Sequence, residues 1–121
     1  MKTGKLTTHV LDTAQGKPAA GMAIALWSID PTTGAKTHLK TVTTNQDGRT
    51  DGPLLADGEF QVGVYELVFH VGDYFAPDPA LGPKPAFLNQ VPIQFGIADA
   101  IAHYHVPLLV SPWAYSTYRG S

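Results

Sequence analysis

Hydrophobic and polar residues alternate over short stretches of this chain, and little of it shows the spacing that an amphipathic helix requires. Residues 6–12 set the pattern, because Leu6 and Val10 fall on one face of a strand while His9 falls on the other. Further strands are predicted at residues 22–29, 36–44, 59–71, 91–97, 103–110 and 114–118. These β-branched and aromatic runs are separated by turn signals, as is typical of an all-β protein.

Prolines and glycines punctuate the chain between these runs. The segment 45–53 contains two Asp-Gly pairs and is predicted to be a loop. The segment 72–85 holds four of the ten prolines, so it cannot be a central strand and has room only for a short helix around Tyr74. We therefore predict a single domain over residues 1–121, folded as an antiparallel two-sheet β-sandwich of seven to eight strands.

Composition narrows the function classes. The 121 residues are 44% hydrophobic and 15% charged, which suits one globular core and excludes a disordered chain. A net charge of −2 provides no basic surface for nucleic acid or anionic lipid, so neither is expected as a partner. Because the chain has no cysteine, disulfides, thiolate nucleophiles and zinc–thiolate sites are excluded.

From the sequence we expect neither an export signal nor a membrane helix. Its first twelve residues contain two lysines but no apolar run of signal-peptide length. No stretch approaches the roughly 20 apolar residues of a membrane helix. We expect a soluble, cytoplasmic protein, with a periplasmic location only if a signal had been removed.

The histidines are the main candidates for chemistry. In the strand at 103–110, Tyr104, Val106 and Leu108 form the more apolar face and are predicted to enter the core. His103, His105 and Pro107 then lie on the outer face, together with His9 of the first strand. The simplest interpretation of such histidines is a solvated surface, and we apply it to two others, His38 and His70.

A metal site is the alternative for His103 and His105, because two imidazoles one residue apart share a strand face. However, neither a cysteine nor a nearby carboxylate completes the ligand set, so we predict no metal and no cofactor. Arg49 lies in the loop at 45–53. Taken alone it is an ordinary hairpin arginine, although its planar fork of donors would also suit a carbonyl-rich or anionic ligand.

Four segments together change this picture: "LTTHVLDTAQGKPAAGM", "NQDGRTDGPLL", "VYELVFHVGDYF" and "HYHVPLLVSPWAYSTYRGS". They resemble the transthyretin-related family, and most closely its enzyme branch, the 5-hydroxyisourate hydrolases. The resemblance runs from Leu6 to Ser121. Its most specific element is the terminal Tyr-Arg-Gly-Ser, which hormone-carrying transthyretins lack, as they lack counterparts of His9, Arg49 and His105.

The resemblance implies a fold, an assembly and a reaction. Family members are two-sheet sandwiches that pair edge to edge into dimers, and two dimers stack into a tetramer with active sites in the channel between them. The reaction is hydrolysis of 5-hydroxyisourate to 2-oxo-4-hydroxy-4-carboxy-5-ureidoimidazoline (OHCU) during urate degradation to allantoin.

The implied roles follow the matching residues. His9 and His105, with Ser121, would orient and deprotonate water, and Arg49 would bind the substrate oxygens. Tyr118 and Arg119 would shape the pocket and fix the tail. Which histidine is the base stays open, as does whether Ser121 acts through its hydroxyl or its terminal carboxylate.

Two other classes of protein function are compatible with a small β-sandwich. One is a tetrameric carrier of a small aromatic ligand, which would have no use for two histidines, an arginine and this tail together. The other is an adhesin or structural domain, which would not require a cluster of titratable groups.

Overall fold

The computed structural model describes residues 3–81 and 84–120 of the chain. This part contains eleven strands, one short α-helix and two 3₁₀ turns. The strands are β1 (Lys5–Thr7), β2 (Val10–Asp12), β3 (Lys17–Pro18), β4 (Ala23–Ile29), β5 (Lys36–Thr43), β6 (Leu55–Ala56), β7 (Gly63–Phe69), β8 (Val91–Ile97), β9 (His103–His105), β10 (Leu108–Val110) and β11 (Tyr115–Thr117). The helix α1 spans Val71–Phe75, and the 3₁₀ turns span Asp57–Glu59 and Pro79–Leu81.

One layer of the sandwich is a four-stranded antiparallel sheet with the order β5-β4-β7-β8. Its central strands β4 and β7 pair along almost their full length, and they bury Leu26, Leu67 and Phe69 completely. The edge strand β8 alternates between buried and exposed side chains. It also carries Pro92, which is tolerated there because an edge strand has one unpaired side.

The other layer is built around two long segments, 5–12 and 103–110. β1 pairs with β9, and β2 pairs with β10, both in parallel and with the same offset in residue number. Between them, backbone bonds from Val106 to Thr7 and from Leu108 to His9 continue the pairing (both 2.9 Å). The ladders β6-β1-β9 and β11-β10-β2-β3 therefore form one continuous layer.

The predicted sandwich is confirmed, but the prediction that its strands are all antiparallel is wrong at these two pairings. The count also differs, because the segments 5–12 and 103–110 each divide into two named strands and because the two-residue strands β3 and β6 were not predicted. Pro107 contributes to one division, since it has no N–H to donate to a neighbouring strand. The strand predicted at 59–71 is shorter at both ends, because Asp57–Glu59 turn and α1 begins at Val71.

A single apolar core joins the two layers. It contains Leu6, Val10 and Leu108 from one layer together with Ile24 and Leu67 from the other, all fully buried. The face assignments made from the alternation are confirmed for Tyr104, Val106 and Leu108, which are buried, whereas Pro107 was expected outside and is also buried. Thr117 of β11 donates a hydrogen bond to the Pro107 carbonyl (2.7 Å), so the returning chain lies against this position.

Within the described residues, no helix is both long and apolar enough to cross a membrane. The short helix predicted around Tyr74 is confirmed as α1. The cytoplasmic location stays a prediction.

Candidate active site

An open cleft of about 440 Å³ lies on the outer face of the layer that contains β1 and β9. Five of its lining residues carry chemistry: Lys5, Thr7, Arg49, His103 and His105. They come from three separate parts of the chain. The sequence predicted Arg49 and His105 as site residues, and the structure places both in this one cleft.

The strand alternation in β9 orients the two histidines. Tyr104 is buried between them, and its hydroxyl accepts hydrogen bonds from the backbone N–H groups of Ala98 and Asp99 (3.0 and 3.1 Å). His103 and His105 therefore point away from the core, where each is half-buried. The parallel register sets Lys5 beside His103 and Thr7 beside His105.

A compact turn brings Arg49 to the first strand segment. The side-chain oxygen of Asn45 accepts hydrogen bonds from the backbone of Asp47 (2.9 Å) and Arg49 (3.2 Å), while the Asn45 N–H donates to the Arg49 carbonyl (2.7 Å). Arg49 then forms an antiparallel bridge with His9. Two predicted site residues that are forty positions apart in sequence are thus neighbours through backbone pairing.

Gly48 is required for this approach. Its φ of +74° lies in the left-handed region, and its N–H donates to Asn45 while its carbonyl accepts from the Val10 N–H (2.8 Å). A Cβ at this position would overlap the Val10 carbonyl oxygen. Any side chain at position 48 would push the turn, and Arg49 with it, away from His9.

The protonation of the His9 ring follows from its partner. His9 Nε2 lies 2.9 Å from the backbone carbonyl oxygen of Asp47, which can only accept, so Nε2 must carry the proton and donate it. In the neutral imidazole, Nδ1 is then the nitrogen with a free lone pair. The turn at 45–49 therefore fixes both the position of Arg49 and the tautomer of His9.

Thr7 joins the other two imidazoles. Its hydroxyl oxygen lies 2.7 Å from His103 Nε2 and 2.8 Å from His105 Nδ1. The two rings also lie edge to face, with centroids 6.2 Å apart, and the Thr7 hydroxyl supplies the hydrogen bonds that link them.

The electrostatics of the cleft favour the neutral forms of His103 and His105 and a negatively charged ligand. Burial lowers the pKa of His105, and the charges of Arg49, His103 and His9 lower it further. Burial and the nearby Lys5 likewise lower the pKa of His103. The cleft's described lining carries two permanent positive charges and no carboxylate, although the whole chain has a net charge of −2.

The carboxy-terminal tail returns to this site. After β11 the chain continues antiparallel to the segment 103–110 until Gly120 bridges to His105, donating its N–H to the His105 carbonyl (2.7 Å). The Arg119 guanidinium lies 4.1 Å from the ring centroid of Tyr104, a cation–π contact that ties the tail to β9. Tyr118 is 61% exposed.

The remaining predicted residues lie elsewhere or outside the description. Ser121 falls outside the described residues; its neighbour Gly120 is the last residue described. His38 is on β5 and contacts Trp27 edge-on, and His70 precedes α1, 3.9 Å from an Asp73 oxygen. In residues 3–81 and 84–120, no three His, Asp or Glu side chains are grouped as a metal site would require.

Sequence reasoning missed three residues of this site: Thr7, Lys5 and Asn45. Thr7 shares the outer face of its strand with His9, and that was the available signal. Its contact with His105 depends on the pairing of β1 with β9, which alternation along one strand does not reveal. Lys5 enters through the same pairing. Asn45 holds the turn through hydrogen bonds from its side-chain oxygen and its backbone to the backbone of Asp47 and Arg49.

Comparison with known proteins gives a consistent result. The sequence pattern of the HIUase/Transthyretin family matches residues 6–120. A 5-hydroxyisourate hydrolase from Mesorhizobium japonicum is 64% identical over 118 residues, which are 98% of this chain and 93% of that protein.

Two solved structures share the fold. The 5-hydroxyisourate hydrolase of Klebsiella pneumoniae superposes with a TM-score of 0.75 at 32% identity, over 97% of this chain and 99% of that one. An (S)-allantoin synthase gives a TM-score of 0.91 at 48% identity, and the match covers 99% of this chain but only 44% of that longer one. The chain belongs to the HIUase/Transthyretin family.

Proposed function

We propose that this protein hydrolyses 5-hydroxyisourate to OHCU, a step of urate degradation to allantoin. The observation that carries the proposal is the placement of Arg49 and His105 in one cleft, with His9 bridged to Arg49. The 64% identity to a protein named for this reaction supports the same substrate. The reaction adds water across a ring C–N bond: the hydroxyl goes to the carbonyl carbon and the proton goes to the leaving nitrogen.

Each role is supported by the chemistry of its residue. A neutral imidazole is needed to remove a proton from water, and the lowered pKa of His105 keeps that ring neutral at physiological pH. His9, with Nε2 occupied by the Asp47 carbonyl, offers Nδ1 as the second proton-handling atom. Arg49 binds the carbonyl oxygens and stabilises the oxyanion, because no carboxylate among the described residues forms an ion pair with it.

Ser121 completes the proposed site through its hydroxyl or terminal carboxylate. Its covalent neighbour Gly120 is hydrogen-bonded to the backbone carbonyl of His105, which supports a role for the tail at this site. Arg119 fixes the tail through its stacking on Tyr104, and Tyr118 shapes the mouth of the pocket.

The active assembly is proposed to be a homotetramer, a dimer of dimers. The returning chain leaves Trp113, Tyr115 and Tyr118 between 45% and 61% exposed. Exposed large aromatic side chains are enriched at surfaces that another subunit covers. Sedimentation velocity measures the assembly directly, and an active monomer would contradict a site built between subunits.

The experiment that tests the activity generates 5-hydroxyisourate in situ from urate with urate oxidase and follows its ultraviolet decay. We expect this protein to accelerate the decay, and His9→Asn, Arg49→Gln and His105→Asn each to lower the rate by about 10²–10⁴-fold. His38→Asn is the matched control, because it removes an imidazole remote from the cleft and should keep the full rate. Full activity in His105→Asn would refute the assignment.

The same assay separates the enzyme from a carrier. A transthyretin-like carrier would bind a small aromatic ligand without changing the decay, and Arg49→Gln would then have no catalytic rate to alter. The cleft argues for catalysis, because a carrier needs neither two linked imidazoles nor an oxyanion-binding arginine.

A further inference from the structure

The hydroxyl of Thr7 has one proton to donate and two lone pairs that can accept. Among the described residues its proton has no acceptor other than the ring nitrogens of His103 and His105, so the proton is used only when Thr7 donates to one ring nitrogen and accepts an N–H from the other, rather than accepting from both. His103 Nε2 and His105 Nδ1 lie at 2.7 and 2.8 Å, so both contacts are hydrogen bonds. The proton position on one imidazole therefore decides the proton position on the other.

Two arrangements satisfy this constraint with neutral rings. In the first, Thr7 donates to His105 Nδ1 and accepts from His103 Nε2, which places the His105 proton on Nε2 and leaves that nitrogen unable to act as a base. In the second, His105 donates from Nδ1 to Thr7, and Thr7 donates to His103 Nε2. Only the second leaves the Nε2 lone pair of His105 free to accept a proton.

We propose that Thr7 is a positioning residue that holds His105 with Nε2 free and passes protons between His105 and His103. This inference rests on the proposed function. When His105 Nε2 takes a proton from water, the Nδ1 proton of His105 moves to the Thr7 oxygen, and the Thr7 proton moves to His103 Nε2. The positive charge then resides on His103, and the neutral His105 holds the water-derived proton on Nε2, ready for the leaving nitrogen.

The surroundings are suited to this relay. Thr7 is fixed opposite His105 by the parallel pairing of β1 with β9, and its side chain is half-buried in the wall of the cleft. His103 is the terminal acceptor. Burial and the nearby positive charge of Lys5 lower the pKa of His103, which favours return of the proton and restores the starting state of the relay.

The first test reads the tautomer directly and needs no substrate. Nitrogen-15 chemical shifts of the histidine rings in the intact protein, above the pH at which they charge, distinguish Nδ1–H from Nε2–H. We expect His105 to be protonated at Nδ1 in the wild type. In His103→Phe, Thr7 loses its acceptor and should donate to His105 instead, so the proton should shift to Nε2. An unchanged His105 tautomer in that variant would overturn the coupling.

The second test uses kinetics. Thr7→Val keeps the shape but removes the hydroxyl, and should lower kcat at least tenfold with little change in KM, because the hydroxyl acts on the proton transfer. Thr7→Ser retains the hydroxyl and should restore most of kcat. Thr13→Val is the matched control, since it removes a similar hydroxyl, bonded to the Val110 carbonyl, elsewhere in the same layer.

The outcomes separate the two proposals. Equal loss in Thr7→Ser and Thr7→Val would make Thr7 a packing residue and refute the relay, and so would an unchanged kcat in Thr7→Val. A wild-type protein that does not hydrolyse 5-hydroxyisourate would refute the proposed function, whereas the nitrogen shifts would still decide whether Thr7 couples the two rings.

Discussion

Replacing Gly120 with alanine tests how closely the tail and His105 depend on each other. A Cβ built on Gly120 would lie 2.7 Å from Cδ2 of the His105 ring, 3.1 Å from its Cβ and 3.2 Å from its Cγ. Carbon atoms in van der Waals contact are about 3.5–4.0 Å apart. The ring or the tail must therefore move by roughly 1 Å to admit the methyl group.

Either movement damages the site. If the ring moves, its Nδ1, which lies 2.8 Å from the Thr7 hydroxyl, leaves hydrogen-bond range. If the tail moves, the 2.7 Å hydrogen bond from Gly120 to the His105 carbonyl is lost, and the segment that leads to Ser121 is released. A misplacement near 1 Å costs about 10²-fold in rate, or about 2.7 kcal/mol of transition-state stabilisation.

The assay is the decay of 5-hydroxyisourate, with kcat and KM determined for Gly120→Ala and for Gly96→Ala. Gly96 lies in the edge strand β8, and a Cβ there would meet no atom within 4 Å, so this control should keep the wild-type rate. Thermal unfolding of both variants shows whether the sandwich remains intact. A folded Gly120→Ala protein within twofold of the wild-type kcat would refute the packing argument.

Three further predictions test the effect of Arg49 on the pKa of His105, the role of the carboxy-terminal tail and the expectation that no metal is needed. Because the charge of Arg49 contributes to the lowered pKa of His105, Arg49→Gln should raise the midpoint of the His105 proton resonance in an NMR titration; an unchanged or lowered midpoint would contradict that coupling. Removal of residues 119–121 should leave a tetramer by sedimentation, since β11 ends at Thr117, while the hydrolysis rate falls about 10²-fold; full activity would make the tail a structural stop only. Dialysis against a strong chelator should leave the rate unchanged, and activity restored by added zinc would require His103 and His105 to be reinterpreted as ligands.

The sequence predicted the outward direction of the histidines because alternation in a strand is a local property. Leu6, Thr8 and Val10 are buried, and His9 is only partly covered, as the period of two requires. The alternation of His103 and His105 about Tyr104 is likewise confirmed. The buried face of a strand is stabilised by removing its apolar side chains from water. The alternation that marks this face is therefore visible within a few residues of sequence.

Which strands pair with each other cannot be read from the alternation within one strand. The alternation of residues 5–12 is the same whether the neighbouring strand is parallel or antiparallel, so the pairing of Thr7 with His105 could not be read from it. The contact of Gly120 with the His105 ring depends on the same long-range return of the chain. The resemblance to a family implied roles for His105 and the tail, but not the atoms through which the two contact each other.

The placement of the site follows from how the segment 5–12 changes its partner along one edge. On the side facing the segment 103–110 its pairing is unbroken, but on the other side it pairs first with β6 and then with β3. Between β6 and β3, at His9, neither strand pairs with this edge. The turn at 45–49 occupies the gap, and Arg49 forms its bridge with His9 there. The unbroken side holds His105 at a fixed register, and the open side admits the arginine. A layer with one uniform partner on each edge would have kept Arg49 away from His9, so the interruption of β1 and β2 is what brings together the groups proposed to act in catalysis.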